Sequence, residues 1–460
     1  MAAPDDGAPV VEARIVEWRS YVRRQQAIHA VDADELEDHL RVQMAELGKA
    51  GLDEEEAFLI AVKRIGQLDT LSREFAREYS DRLWKRLVLA SPGAGDETGG
   101  WKTEGLVAVA LAIAAAVAIK LPELFGLSIA GPKADQAFYA RNFSLFVLPF
   151  LAGFFAWKRD LRPAQRWALA TPFVAAALLV NLYPFTTGGS TESLEAIHLP
   201  MALWLVLGFA YAGGRWRAHD QRMNYVRFSG EWFIYYALIA LGGGVLMMFT
   251  TFIFRAIGLN AQALVQAWIA PCGAVGAVIV AAWLVEAKQS IIENLAPVLT
   301  IIFTPLFAIL LLGFLGTMAW TGKGIHVERE ALIGFDLLLV LVVGLLLYAI
   351  SARDPEAEPR FFDGLQLVLV ICALAVDGFA LWAIAARITD FGFSPNRVAA
   401  LGENVLLFVN LGWSAVLYAR FLGRRAAFAP LERWQTSYLP VYLVWMWAVV
   451  AGFPLIFNFQ

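Results

Sequence analysis

The sequence predicts an all-α fold: a polytopic membrane helix bundle of about eleven transmembrane helices, preceded by a small soluble helical bundle. Hydrophobic residues make up 59% of the 460 positions and charged residues only 17%. The mean hydropathy is +0.58, a value that soluble globular domains seldom reach. Eleven stretches also approach the roughly 20 apolar residues that cross a bilayer as a helix. We therefore expect the lipid bilayer to be the main surroundings of this chain.

The soluble bundle is predicted from the acidic prefix, residues 1–90. It holds 18 acidic and 13 basic side chains, net charge −5, whereas the rest of the chain has a net charge of +1. Its first clear helix has apolar residues at helical spacing, namely Leu36, Leu40, Met44 and Leu47. A second is predicted from Asp53 to Gly66, with acidic residues in its first turn. We expect a cytosolic helical domain at 1–90, a linker at 91–102 and a transmembrane domain at 103–460.

The charge of the prefix also bears on its partners. Nucleic-acid binding needs a basic face that neutralises phosphates, and this segment is net acidic, so no nucleic acid is expected. The N-terminus is acidic where a secretory signal would be basic, so we expect it to stay in the cytoplasm. Docking of a cytosolic protein partner, or self-association through residues 1–90, is the favoured role.

The membrane part is predicted from apolar segments and from the distribution of basic residues. The eleven spans lie at about 103–122, 143–157, 166–185, 196–213, 231–254, 262–285, 297–320, 332–351, 362–386, 400–421 and 437–458. With the N-terminus inside, 16 Lys and Arg residues fall on the inner side and 8 on the outer side. This excess predicts an N-in, C-out topology.

Several spans contain glycine or proline. The fifth holds Gly242-Gly243-Gly244, the sixth Pro271, and the seventh Pro297 and Pro305. These residues favour either close helix packing and ordinary kinks or broken helices around a central binding site. The sequence leaves both interpretations open.

Charged residues inside spans are the best pointers to a site, because burying them in lipid is costly. The outer-side candidates for substrate or ion binding are Asp377, Asp336, Glu403, Arg387 and Arg255. The inner-side candidates are Glu286, Lys288 and Glu293. Asp377 lies deepest within its span. For the others, the alternative is that they face water or lipid head groups from helix ends.

Motifs for catalysis or cofactors do not occur. The five histidines have no metal-ligand spacing, and the two cysteines lie in apolar stretches. There is also no phosphate-binding glycine loop and no nucleophile elbow. We therefore expect no metal, cofactor or catalytic residue, which favours a protein that is not an enzyme.

Part of the prefix resembles a known domain. The run ELEDHLRVQMAELGKAGLDEEEAFLIAVKRIGQLDTLSREFAREY, Glu35–Tyr79, is similar to the permease prefix domain, also described as an alpha-helical signalling-sensor domain, which precedes bacterial membrane proteins. The resemblance implies a small cytosolic helical domain with a regulatory or assembly role. It implies no catalytic residues.

Two segments of the membrane part also resemble a family. They are RITDFGFSPNRVAAL, Arg387–Leu401, and WLVEAKQSIIENLAPVLTIIFTPLF, Trp283–Phe307. Both look like the bacterial membrane family called domain of unknown function 4153, and the resemblance covers about half of the chain. It implies a multi-pass protein of the bacterial cytoplasmic (inner) membrane, and no established activity.

Three functions follow as hypotheses. The first is a regulatory, sensor or assembly protein that docks a partner through the prefix. The alternative is a secondary transporter or channel that uses Asp377 with Asp336, Glu403 and Arg387. The third is an intramembrane lipid-modifying enzyme, which is less favoured because no nucleophile and base are paired.

Overall fold

The computed structural model describes residues 15, 30–49, 52–65, 97–130, 135–256, 260–287, 295–321, 329–353 and 355–460. These ranges form helices and connecting turns and contain no β-strand. The chain divides into two compact units, Met1–Gly100 and Trp101–Gln460. The predicted all-α fold class is confirmed.

The N-terminal unit contains two packed helices, α1 (Ala30–Lys49) and α2 (Glu54–Ile65). Asp53 caps α2, because its Oδ1 accepts the Glu56 N–H at 2.7 Å and its own N–H donates to the Glu56 carboxylate at 3.4 Å. The buried apolar residues of this pair are Leu40, Leu47, Ala57, Phe58, Ala61 and Val62. Residues 66–96, which include the first half of the predicted linker, lie outside the described residues.

The membrane unit is built mainly of long helices, which follow one another along the chain. They are α3 (Glu97–Lys120), α4 (Gln136–Asn142), α5 (Leu148–Lys158), α6 (Pro163–Leu182), α7 (Ser190–Tyr211), α8 (His219–Ala256), α9 (Ala270–Ala287), α10 (Leu295–Thr321), α11 (Arg329–Ala352), α12 (Phe361–Phe391), α13 (Pro395–Leu422) and α14 (Ala429–Trp447). A 3₁₀ turn, Phe143–Phe146, lies between α4 and α5, and together these make one span of 23 residues. The first turn of α3 lies within the predicted linker.

Ten of the described helices are long and apolar enough to cross a membrane. The remaining predicted span is the third, 166–185. It forms α6, which is 20 residues long but is not among those ten because its polar residues lower its hydropathy. Hydrogen bonds nevertheless connect the start of α6 to the preceding turn and its end to α4. Arg166 donates to the Leu161 carbonyl at 2.6 Å, and Asn181 exchanges bonds with Asn142 at 2.8 and 3.1 Å. Helices that are long and apolar enough to cross a membrane therefore match ten of the eleven predicted spans.

Two apolar cores hold the membrane unit together. The first is built by α3 to α9 around residues such as Phe154 and Phe155, and the second by α8 with α10 to α14. Trp216 packs against both cores, and α7 packs against α13 and α14. Helices α7 and α8 therefore join the two halves.

The exposed surface of the long helices is also apolar. On α3, exposed apolar residues recur every three or four positions: Leu106, Val109, Ile113 and Val117. The later part of α8 has a similar series: Leu238, Leu241, Val245, Phe249 and Phe252. Apolar side chains on the outside of a bundle suit lipid rather than water. This surface is consistent with a multi-pass membrane protein.

The glycine- and proline-containing spans are mostly regular. Helix α8 continues through Gly242–Gly244, and a Cβ atom at any of these positions would meet no other atom within 4 Å. Those glycines therefore neither break the helix nor bring another helix close. Helix α10 also continues through Pro305. A π turn, Val265–Ile269, precedes α9 and is the irregularity in the sixth span.

The two ends of the membrane unit differ in charge. The basic end carries Lys158, Arg159 and the loop between α7 and α8, whereas the carboxylate end carries Glu195 and Glu403. Sixteen residues of α7 separate Glu195 from Tyr211 at the basic end, which corresponds to about 24 Å of helix rise. The two ends are therefore separate places in the fold.

Candidate functional site

Asp377 lies near the middle of α12 and is 0% exposed. Neither of its carboxylate oxygens has a hydrogen-bond partner among the described residues. Helices α10, α11 and α13 pack around α12, so other helices enclose this side chain. A buried carboxyl group without a partner is costly. In a membrane span, such a group is a candidate for a functional site.

Asp336 on α11 lies beside Asn404 on α13. The Asn404 side-chain amide donates to Asp336 Oδ1 at 2.8 Å and to the Ala400 carbonyl at 2.8 Å. Asp336 interacts electrostatically with Asp377 and with Glu403. The structure thus brings together three of the carboxylates that the sequence singled out.

Glu403 forms a hydrogen bond with His198, which lies on α7. His198 Nε2 contacts Glu403 Oε1, and His198 Nδ1 lies 2.7 Å from the Leu194 carbonyl oxygen. Because a carbonyl only accepts, Nδ1 must carry a hydrogen. The Nε2–Oε1 contact then holds one proton, on either the imidazole or the carboxylic acid. His198 is buried, whereas the Glu403 side chain is 28% exposed.

One turn before His198, Glu195 is also fully buried. Its two carboxylate oxygens have no hydrogen-bond partner among the residues that the structure describes. Arg141 and Glu192 both interact electrostatically with Glu195. Arg141 and Glu192 also form an ion pair with each other at 3.5 Å. Glu192 also accepts the Gly188 N–H at 2.9 Å. The Arg141 charge is therefore shared between two carboxylates.

We call Asp377, Asp336, Glu403 and His198 the carboxylate cluster. It runs from the part-exposed Glu403 to the enclosed Asp377. Tyr442 on α14 interacts electrostatically with Asp377, and its hydroxyl has no partner within the described ranges. Beside Glu403, the Trp445 ring packs so closely on Gly402 that a Cβ atom there would clash. The cluster can hold a proton at several positions between a surface and the interior.

Neither of the two arginines predicted for this site forms a hydrogen bond with Asp377. Arg387 follows Asp377 by ten residues on α12, which is about 15 Å along the helix axis. Arg255 is exposed in the last turn of α8 and forms no hydrogen bond or ion pair with the described residues. The predicted pocket of carboxylates and arginines therefore gathers the carboxylates without these two arginines beside Asp377.

At the basic end, Glu286 belongs to an ion-pair network. Its side chain is 1% exposed; its carboxylate lies 3.2 Å from Lys158 and accepts hydrogen bonds from Arg159 at 3.0 and 3.1 Å. Lys158 also pairs with Glu104 at 2.8 Å. Two positive and two negative charges thus balance in this network. Lys288 and Glu293 lie outside the described residues.

Sequence reasoning missed His198 and Glu195. The fourth span was predicted from residue 196, but α7 begins at Ser190, so Glu192 and Glu195 lie inside the helix. The spacing of Glu192, Glu195 and His198 at every third residue was the available signal, because such residues lie on neighbouring positions of one helix face.

Comparison with known proteins finds no match to this chain. No protein-family model matches the sequence, and neither a curated protein nor a solved structure matches it. No group of three His, Cys, Asp or Glu side chains that could hold a metal ion occurs within the described part of the chain. The two resemblances noted from the sequence stay predictions.

Proposed function

We propose that the membrane unit is a secondary transporter that couples solute movement to protons bound by Asp377 and Asp336. The observation that carries this proposal is the complete burial of the Asp377 carboxyl group, without a hydrogen-bond partner among the described residues. Ionisable groups within membrane spans typically serve ion pathways and proton relays. The second carboxylate, Asp336, interacts electrostatically with the first.

Protons suit this pair better than an organic cation. Two carboxylates that interact inside an apolar bundle cannot both carry charge without a large penalty, and a shared proton removes it. The Asn404 amide donates to Asp336, which stabilises its charged form. The geometry therefore favours a protonated Asp377 beside a hydrogen-bonded Asp336.

The hydrogen bond between His198 and Glu403 supplies a connection from this pair to the surface. Glu403 is part-exposed and interacts electrostatically with Asp336. A proton taken up by Glu403 can exchange with His198 and then pass towards Asp336. On the N-in topology predicted from the sequence, the carboxylate end faces the outside of a bacterial cytoplasmic membrane, where protons arrive in a proton-driven uptake system.

Proton movement in proteoliposomes tests this proposal. The purified full-length protein is reconstituted with a pH-sensitive dye inside, and gradients of H⁺, Na⁺, K⁺ and small organic acids and amines are applied in turn. We expect wild-type protein to change the internal pH faster than empty liposomes do. Asp377→Asn should return this rate to that of empty liposomes, because an amide does not exchange a proton.

Asp390→Asn is the matched control, since Asp390 lies exposed near the end of the same helix. We expect this variant to behave as wild type. Unchanged proton movement in Asp377→Asn would overturn the role of Asp377. Failure of the wild-type protein to move protons under every gradient would overturn the transporter.

We also propose that the N-terminal unit docks a cytosolic partner or a second copy of the chain. The supporting observation is the small core of the α1–α2 pair, which has six buried apolar residues in the described ranges: Leu40, Leu47, Ala57, Phe58, Ala61 and Val62. A packed helical pair of this kind is suited to dock a helical partner or a second copy through an exposed helix face. The predicted permease-prefix character agrees with a regulatory role of this kind.

Native mass spectrometry of the full chain and of a chain lacking residues 1–90 tests this second function. We expect the full chain to retain a protein partner or to form a dimer, and the shortened chain to lose that association. Identical association states of the two chains would contradict it.

A further inference from the structure

A cavity of 540 Å³ lies at the basic end of the membrane unit. Its walls come from the residue after α5, the end of α7 with the loop that follows, the first turns of α8 and the end of α9. This volume falls within the range of small-molecule sites in proteins. We call it the arginine cavity, because Arg159, Arg215 and Arg227 line it.

The lining of the arginine cavity is positively charged. Three guanidinium groups face one carboxylate, Glu231, and Glu286 behind Arg159 offsets one further charge. Among the lining residues themselves, the three guanidinium groups therefore outnumber the one carboxylate, while Asp220 and Glu432 lie near Arg215 and Arg227 respectively. Gln221 and Asn224 on α8 add side-chain amides. The N-terminal turns of α8 also lie at this cavity. The N-terminus of a long helix favours anions.

Two of the arginines are held in place before any ligand binds. Arg159 makes two hydrogen bonds to Glu286, and its guanidinium lies 5.2 Å from the centre of the Tyr211 ring. Arg227 donates through Nε to the Ser351 carbonyl at 3.1 Å. Groups that are already positioned lose little freedom on binding, so they bind a ligand more tightly.

Arg215 is different, because it is exposed and its side chain forms no hydrogen bond or ion pair with the described residues. It follows a turn in which Gly213 and Gly214 have φ angles of +59° and +79°, conformations that glycine adopts without strain. A Cβ atom at Gly214 would also clash with Gln165. The turn therefore fixes the backbone at the cavity, while the Arg215 guanidinium stays available to a ligand.

The cavity lies at the level expected for lipid head groups. Trp157, two residues before Arg159, and Trp167 in the first turns of α6 are both exposed near this end. Exposed tryptophans on membrane helices concentrate at the boundary between hydrocarbon and water. An anionic group at this boundary would lie close to the guanidinium groups of the cavity.

We propose that the arginine cavity binds a phosphate-bearing anion. Guanidinium groups match phosphate oxygens with paired, charge-assisted hydrogen bonds, and the cavity offers three guanidiniums and two amides for them. The phosphate belongs either to a phospholipid head group or to a soluble phosphate compound. This site is about 24 Å from Glu195 by the helix rise of α7, and the proposal does not depend on proton transport.

Binding to the intact protein in detergent tests the proposal. Native mass spectrometry with added phosphatidic acid, and with phosphatidylcholine as the zwitterionic comparison, reports lipid binding. Thermal unfolding with inorganic phosphate and pyrophosphate reports soluble anions. Arg215→Gln removes one guanidinium without disturbing a described contact, and Arg217→Gln is the matched control, since Arg217 is exposed in the same loop and does not line the cavity.

We expect one of the two probes to bind, and Arg215→Gln to weaken that binding about tenfold, which equals about 1.4 kcal/mol, while Arg217→Gln binds as wild type. Preference for phosphatidic acid that pyrophosphate does not displace assigns the site to a lipid. Protection by pyrophosphate that displaces bound phosphatidic acid assigns it to a soluble phosphate compound. No binding of either probe, or equal binding by both variants, would overturn the proposal.

Discussion

At the basic end, the buried Glu286 carboxylate is held by Lys158 at 3.2 Å and by Arg159 at 3.0 Å. Asp377 near the middle of α12 and Glu195 at the carboxylate end are just as deeply buried, yet their oxygens have no hydrogen-bond partner among the described residues. The same chemical group therefore has two different environments within one helix bundle. A paired carboxylate fixes the helices that surround it, whereas an unpaired one is available to bind a proton.

The same contrast occurs between two carboxylates of one helix, α12. Asp363 in the first turn of α12 accepts hydrogen bonds from Arg353 at 2.8 and 3.1 Å and from the Arg360 N–H at 2.7 Å. Asp377, fourteen residues later, has none of these. Burial alone does not distinguish the two residues, but their partners do.

The largest expected effect is the loss of the paired carboxylate in Glu286→Gln. Removing one partner of a buried ion pair leaves the other charges uncompensated, so the free energy of unfolding should fall by about 3 kcal/mol. Glu104→Gln, which removes a more exposed partner of Lys158, should cost about 1 kcal/mol or less. Thermal unfolding in detergent, followed by size-exclusion chromatography, measures both. Equal effects would show that burial does not decide the strength of these pairs.

An intermediate effect of opposite sign is expected for Asp377→Leu. Replacing a buried polar group that has no partner by an apolar one removes its desolvation cost, so stability should stay the same or rise by about 1 kcal/mol. Asp363→Leu on the same helix should instead lower stability, because it removes the two hydrogen bonds that Arg353 donates to the Asp363 carboxylate. The same unfolding measurement compares the two variants. A clear loss of stability in Asp377→Leu would mean that this carboxyl group has a structural partner.

A loss of stability about as large as the gain for Asp377→Leu is expected when the His198–Glu403 hydrogen bond is removed. His198→Gln and Glu403→Gln should each lower stability by about 1 kcal/mol, and the double variant should cost less than the sum of the two, because both remove one interaction. We also expect His198→Gln to slow proton movement in proteoliposomes without abolishing it. Strict additivity of the two stability changes would contradict a direct interaction in solution.

Much of the fold could be predicted from the sequence because hydropathy is a local sum. About 20 neighbouring residues decide whether a helix suits the membrane, and nearly every predicted span has a matching helix, with ten meeting the length and hydropathy required. The capping of α2 by Asp53 was also within reach, since a cap involves residues three positions apart. The depth of Asp377 follows from its position along α12 for the same reason.

The partners of the charged residues could not be predicted in this way. His198 and Glu403 are 205 positions apart in the sequence, and their contact depends on how α7 and α13 are rotated about their axes. The same rotation leaves Gly242–Gly244 without a close neighbour. Hydropathy does not specify the rotation of a helix that is apolar on every side.

The sequence by itself determined that the chain is helical, which segments form its spans, and that one carboxylate lies deep within a span. Only the tertiary structure decided that Asp336 and Glu403 join Asp377, that Glu286 is neutralised by ion pairs, and that three arginines share a cavity. The physical reason is that helix formation and hydropathy depend on neighbours along the chain. Electrostatic partners depend instead on side chains from different helices meeting after those helices have packed.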